Sequence, residues 1–144
     1  MNPLWRAVYA LREADALTGM SVQGAGPTDA PPERAADEES WTKEWLERAK
    51  RALAAAAAFN RKALEAATLP ELREALRERA VRIARRVSEG AKAARSGLRN
   101  VGRETIRQLD KLHEDAREAA GAWASTVGMG ALLIAALAAV ILLK

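Results

Sequence analysis

The sequence predicts an all-α protein: a short N-terminal amphipathic helix, a linker, a helical hairpin or kinked long helix, and a single C-terminal transmembrane helix. Three observations predict it. Ala, Leu, Arg and Glu dominate the 144 residues, while aromatics are only 4%, the composition of long helices. Apolar residues recur every three or four positions along much of the chain. Between Glu118 and Lys144 no charged side chain occurs.

Each segment has its own signature. In residues 1–19, Asn2 and Pro3 open a helix as N-cap and first helical proline. Leu4, Val8 and Leu11 then share a face with Trp5 beside them, and Gly19 is a stop. The stretch "TGMSVQGAGPTDAPPERAADEE" leads to residue 39 and carries three glycines, three prolines and an acidic end. Residues 20–39 therefore read as a flexible linker. Residues 40–118 read as long charged helices with a break at 68–70. Ser40 caps the first, and Trp45, Ala49, Ala52, Ala56, Phe59, Ala63 and Ala66 make a seam of mostly small residues suited to close helix approach. "TLPE" at 68–71 supplies a capping box and a proline in the first turn.

From Leu69 the apolar register runs through Leu72, Leu76, Ala80, Ile83, Val87, Ala91, Ala94, Leu98, Val101, Thr105, Leu109, Leu112, Ala116 and Ala119 to Trp123, with no proline after Pro70. Its mean step is that of a straight α-helix. Continued to Leu143 it gives one rod about 110 Å long at about 1.5 Å per residue, with Gly90, Gly97 and Gly102 as weak points. A hairpin about 68–69 is the alternative. It would set residue i near 137 − i, placing Trp41 and Trp45 opposite Ala93, Ser96 and Gly97, so that large side chains meet small ones.

Residues 119–144 read as the membrane anchor. About 20 helical residues cross a bilayer, and 121–143 are apolar apart from Ser125 and Thr126, with Trp123 at the entry end. Gly121, Trp123, Gly128, Ala131, Ala135, Ala138 and Leu143 mark the span. Ala124, Gly128, Ala131, Ala135 and Ala138 form a stripe of small residues through which copies could pack into a homo-oligomer. With only Lys144 beyond it, the span is a tail anchor. The arginines and lysine before it place residues 1–118 on the cytoplasmic or interior side by the positive-inside rule.

Net charge is +4, concentrated in the middle of the chain. Residues 1–76 carry ten basic and twelve acidic side chains, and 77–118 carry twelve and seven. Lys92, Arg95, Arg99, Arg103 and Arg107 would line one face of a continuous helix, and Arg82, Arg85 and Arg86 extend it upstream. This basic stripe is a solvated face, a contact for anionic lipid, or a contact for a polyanion such as nucleic acid. The first groups lie beyond a Debye length from an upright span, and no aromatic residue interrupts the stripe, so nucleic acid would be held by its backbone alone.

Several chemistries are missing. There is no cysteine, so disulfides and thiolate metal sites are excluded. Asp110 and the single histidine, His113, have the i, i+3 spacing of di-iron bundle ligands, but the second copy of that motif is lacking. No phosphate-cradling loop or nucleophile elbow occurs. The chain reads as a non-enzyme with no cofactor and no metal.

A charged helix (70–118) leading into a glycine-bearing span (121–143) is similar to the tail-anchored, ribosome-associated inner-membrane proteins of enterobacteria. The extended N-terminal arm ahead of such a helix resembles small membrane proteins of membrane-containing phage virions and minor coat proteins of filamentous phages. Either resemblance implies a structural tether between a bilayer and a protein or nucleic-acid assembly. Leu4, Trp5, Val8, Leu11, Trp41 and Trp45 would dock a protein partner through the N-terminal helix and linker. A ribosome- or nucleic-acid-associated membrane protein, a holin-like membrane-perturbing protein and a coiled-coil subunit are the alternatives.

Overall fold

The computed structural model describes residues 2–19, 30–33, 35–66 and 68–142, without the side chains of 35, 36 and 126–139. Among the described residues there are four α-helices and no strand: α1 (Pro3–Thr18), α2 (Ala35–Glu65), α3 (Pro70–Gly97) and α4 (Arg103–Leu142). Most of the expected linker, 20–29 and 34, lies outside the described residues.

Local chemistry sets most helix ends. The Asn2 side chain accepts a hydrogen bond from the Leu4 N–H at 2.9 Å, and Pro3 occupies the first turn of α1. Gly19 closes α1 at φ 72°, a left-handed conformation that costs glycine nothing. α2 starts at Ala35, within the expected linker, with Asp37 and Glu38 in its first turn, where acidic groups suit the positive end of the helix dipole. Leu69, without a side-chain cap, precedes α3, and Pro70 opens it. The Leu69 N–H donates to Ala66 O at 2.9 Å in a tight reversal.

α3 is the central helix. α2 returns along it as the second arm of a hairpin: the Glu38 carboxylate accepts from the Arg99 and Asn100 N–H groups at 3.1 and 2.7 Å, and the Arg79 guanidinium lies 5.0 Å over the Phe59 ring. These pairs follow the i with 137 − i register. α1 packs antiparallel to α3 on a neighbouring face. The Arg79 Nε–H donates to Leu17 O at one end. Glu13 meets Arg86 at 2.7 Å in the middle, and Leu4 abuts Gly97 at the other end. α4 covers a third face, also antiparallel, with Ser88 meeting His113 and Arg77 meeting Ala124.

The single rod is corrected. The chain leaves the helix at Gly97, runs extended at Leu98 and re-enters at Arg103. The reason lies on α2. The Glu38 carboxylate accepts from two turn N–H groups, and Glu39 accepts from the Gly102 N–H at 2.8 Å and from the Thr105 hydroxyl. Backbone donors that a continuous helix would satisfy internally are satisfied by a neighbouring helix instead. Folding α4 back then buries Leu109, Leu112 and Ala116 in the shared core.

The core is built of small residues around a few large ones. Trp41, Trp45, Leu46, Ile83, Val87 and Leu109 are buried among Ala7, Ala14, Ala49, Ala52, Ala56, Ala91 and Ala94. Gly90 and Gly97 permit the close approach. A Cβ at Gly90 would stand 2.8 Å from Cζ2 of Trp45, and one at Gly97 would stand 2.8 Å from Cγ of Leu4. These glycines are contact points of the bundle rather than weak points of a rod. Gly97 accommodates Leu4 of α1, and Gly90 accommodates Trp45.

The C-terminal transmembrane helix is corrected too. Among the described residues no helix is long and apolar enough to cross a membrane. The entry end of the expected span is committed to the bundle. Ala120 is buried against Val81 and Ala84, and Trp123 packs partly buried beside them. The Arg77 guanidinium donates to Ala124 O at 3.2 Å. Gly121 is exposed, with nothing within 4 Å of an added Cβ. The side chains of Gly128, Ala131, Ala135 and Ala138, and all of Leu143, lie outside the described residues. The expected tail anchor and single-pass membrane location, with its cytoplasmic or virion-interior N-terminus, therefore have no helix among the described residues long and apolar enough to carry them.

Candidate functional site

The expected partner-docking residues are turned inward. Leu4, Val8, Leu11, Trp41 and Trp45 are buried in the chain's own core. The Trp45 indole N–H donates to Ala7 O at 3.2 Å, joining α2 to α1, and Asp15 pairs with Arg48 at 3.0 Å. The N-terminal helix is therefore a structural part of the bundle, not an arm reaching for a distant partner. Trp5 alone of that set stays on the surface, at 40% exposure, with its ring centroid 6.0 Å from that of Tyr9. The hydrophobic face of a short amphipathic helix reads the same in sequence whether its partner is another molecule or the same chain.

The basic stripe is divided by the turn at 98–102. Lys92 and Arg95 sit on α3, Arg99 in the turn, and Arg103 and Arg107 on the first turns of α4. Three of its members are held in ion pairs. Arg86 bridges Glu13 and Glu89 at 2.7 and 3.3 Å, Arg95 meets Asp110 at 3.4 Å, and Arg107 meets Glu104 at 3.6 Å. Arg82, Arg85, Lys92, Arg99 and Arg103 are exposed and make no ion pair among the described residues.

Two grooves flank the outward face of α3. One, of about 710 Å³, lies between α1 and α3 and includes Arg6, Tyr9, Arg86, Lys92 and Ser96. The other, of about 440 Å³, lies between α3 and α4 and is lined by Arg77, Glu78, Val81, Arg82, Arg85 and Ala124. Together they gather six cations about one helix face, with Glu13, Glu89 and Glu78 interspersed. Sequence reasoning missed Arg6, Tyr9 and Arg77. Arg6 and Tyr9 lie some 80 positions before the stripe and join it only because α1 packs antiparallel to α3. Arg77 carried a legible signal: it stands two turns before Arg85 on the same helix.

The histidine serves the fold. His113 Nδ1 lies 2.9 Å from the Ser88 hydroxyl and 3.0 Å from Ser88 O, and that hydroxyl lies 3.3 Å from His113 O. A ring N–H donated to Ser88 O and a hydroxyl donated to His113 O would satisfy both side chains reciprocally across α3 and α4. Asp110 is turned to Arg95 instead. Among the described residues no group of three His, Asp or Glu side chains could hold a metal ion.

One carboxylate has a perturbed affinity for protons. Hydrogen bonds from the Thr105 hydroxyl and the Gly102 N–H, with Lys43 nearby, hold Glu39 below its ordinary range, against a smaller opposing effect of desolvation. Its role is to seat the turn between α3 and α4. No protein-family model, curated protein or solved structure matches the chain, so neither resemblance drawn from the sequence gains a relative.

Proposed function

We propose that the protein is a non-enzymatic helical linking protein that holds a polyanionic partner, nucleic acid first among them, against the outward face of α3. The observation that carries this reading is the gathering about that face of the exposed Arg6, Arg82, Arg85 and Lys92, with Arg86 and Arg77 beside them held by Glu13, Glu89 and Glu74. Arginine forks match phosphate oxygens and stay charged at any physiological pH. The polar groups that cross between helices are used in packing: Ser88 with His113, Asp15 with Arg48, and Glu38 and Glu39 with the turn.

The test is binding of the full chain to labelled duplex DNA and single-stranded RNA across a salt series. The expected result is binding at low salt that weakens steeply as salt rises, because phosphate contacts release counterions. Charge reversal by Arg82→Glu with Arg85→Glu should weaken it at least tenfold, while reversal of the exposed Arg51 on α2 should have a smaller effect. Absence of binding at low salt would refute the reading. Equal binding of polyglutamate would redirect it to an acidic protein surface.

A further inference from the structure

The turn between α3 and α4 has a feature that neither helix explains alone. The apolar positions Ala94, Leu98, Val101, Thr105 and Leu109 keep helical spacing straight through it. It contains no proline, and the only described residue with positive φ in the chain is Gly19. Nothing in residues 98–102 therefore forbids a continuous helix. The bend is held by α2, through Glu38 on the Arg99 and Asn100 N–H groups and Glu39 on Gly102 and Thr105.

The pairing of α3 with α4 is also symmetric about that turn. Ser88 meets His113 and Arg77 meets Ala124, so residue i of α3 lies near 201 − i of α4, and the midpoint falls between Asn100 and Val101. Two antiparallel straight helices, each made of α3 and α4 in line, would meet in the same register. Every α3–α4 contact would then be remade between chains.

We infer that a second copy of this chain is a built-in partner, taken up by exchange of α4 when residues 98–102 straighten into one helix running from Pro70 to Leu142. In the exchanged dimer, α4 of one copy lies on α3 of the other, and Ser88 of each meets His113 of its mate. Only the turn changes. Its N–H groups pass from the carboxylates of α2 to carbonyls one helical turn earlier, so no donor is lost. The interface is isologous, with the same surface used by both copies, and exchange of an identical element is a low-cost route to such dimers. The rod is about 110 Å long at about 1.5 Å per residue, the length that the register in the sequence gives when continued to Leu143. The proposal concerns assembly and does not depend on polyanion binding.

The test combines a hinge variant with a cross-linking pair. Gly102→Ala raises helix propensity at the bend, and its Cβ would meet only Glu39 oxygens at 3.7 Å, so alanine also fits the bent form. Glu39→Gln weakens the hold of α2. In a Ser88→Cys, His113→Cys background the two thiols can be joined by a short bismaleimide. With the wild-type turn at low concentration, the link should close within one chain, at monomer mass by light scattering. With Gly102→Ala and Glu39→Gln, the mass should double and the link should move between chains. A folded variant that stays monomeric up to millimolar concentration, or whose dimer keeps its links within chains, would overturn the proposal. Should circular dichroism show that variant unfolded, the wild-type turn in the same cysteine background is unfolded and refolded at rising concentration. The inter-chain link should then grow with concentration, and its absence would overturn the proposal equally.

Discussion

The joint between α1, α2 and α3 and the joint between α3 and α4 share the central helix α3 and a core rich in alanine, yet they are specified differently. The first is specified by shape. Leu4 seats against Gly97, and Trp45 seats against Gly90 while its indole N–H reaches Ala7 O. The second is specified more by polar bridges laid over a small apolar seam: Ser88 with His113, Arg77 with Ala124, Arg95 with Asp110. Alanine-rich helices offer few distinctive knobs. Register in such a protein must come from rare large-to-small matches or from directed hydrogen bonds. The first joint sets its glycine contacts beside ion pairs such as Asp15 with Arg48 and Glu13 with Arg86, whereas the second relies on its polar bridges.

Four measurements test that contrast. The largest expected effect is at the apolar seam of the second joint, where Leu109 is fully buried. Leu109→Ala should cost about 2–5 kcal/mol in denaturant unfolding, the range for buried leucines. A loss of less than about 1 kcal/mol would mean that the polar bridges, not the seam, hold α4. Next come the glycines of the first joint. Gly90→Ala and Gly97→Ala should each destabilise by about 1–3 kcal/mol through overpacking, although alanine is the better helix former by about 1 kcal/mol. Gly121→Ala, into open space, should be neutral or stabilising. If all three behave alike, shape matching is not what specifies the first joint.

A smaller effect is expected at the indole. Trp45→Phe removes the donor to Ala7 O and should cost about 1 kcal/mol or somewhat more, read as a lower thermal midpoint. The smallest and most conditional effect concerns the turn. Glu39 has a lowered carboxyl pKa in the folded chain, chiefly through the Thr105 hydroxyl. Its contribution is therefore fully present above the unfolded carboxylate value and is lost as pH falls through the folded one. Glu39→Gln should flatten part of the decline in stability as pH falls below the ordinary carboxylate range. An unchanged acid limb would show that Glu38 alone seats the turn.

Much of the scaffold was legible along the chain. The Asn2-Pro3 start, the Gly19 stop and the reversal before Pro70 are local signals, because caps, left-handed glycines and proline act on their own neighbours. The facing of α2 against α3 followed from matching large positions with small ones. The expected membrane span failed for a definable reason. Hydropathy of residues 121–143 records what those side chains avoid, not what covers them, and here Val81, Ala84 and Arg77 engage the entry end at Ala120, Trp123 and Ala124. The basic stripe failed as a single line because its continuity assumed a straight helix. The grooves flanking α3 were only half visible, since Arg6 and Tyr9 come from a helix far away in sequence.

What the sequence determines by itself, then, is helicity, the positions of most ends, and which face of each helix is apolar. These depend on propensity, capping and period, all of which act within a few residues. Whether residues 69–123 form one rod or two packed helices was decided only in three dimensions. The register permits both, and the choice rests on the Glu38 and Glu39 carboxylates of α2 reaching the N–H groups of residues 99, 100 and 102. A contact between positions some 60 residues apart leaves no periodic trace in the chain, so it could be found only where the helices meet.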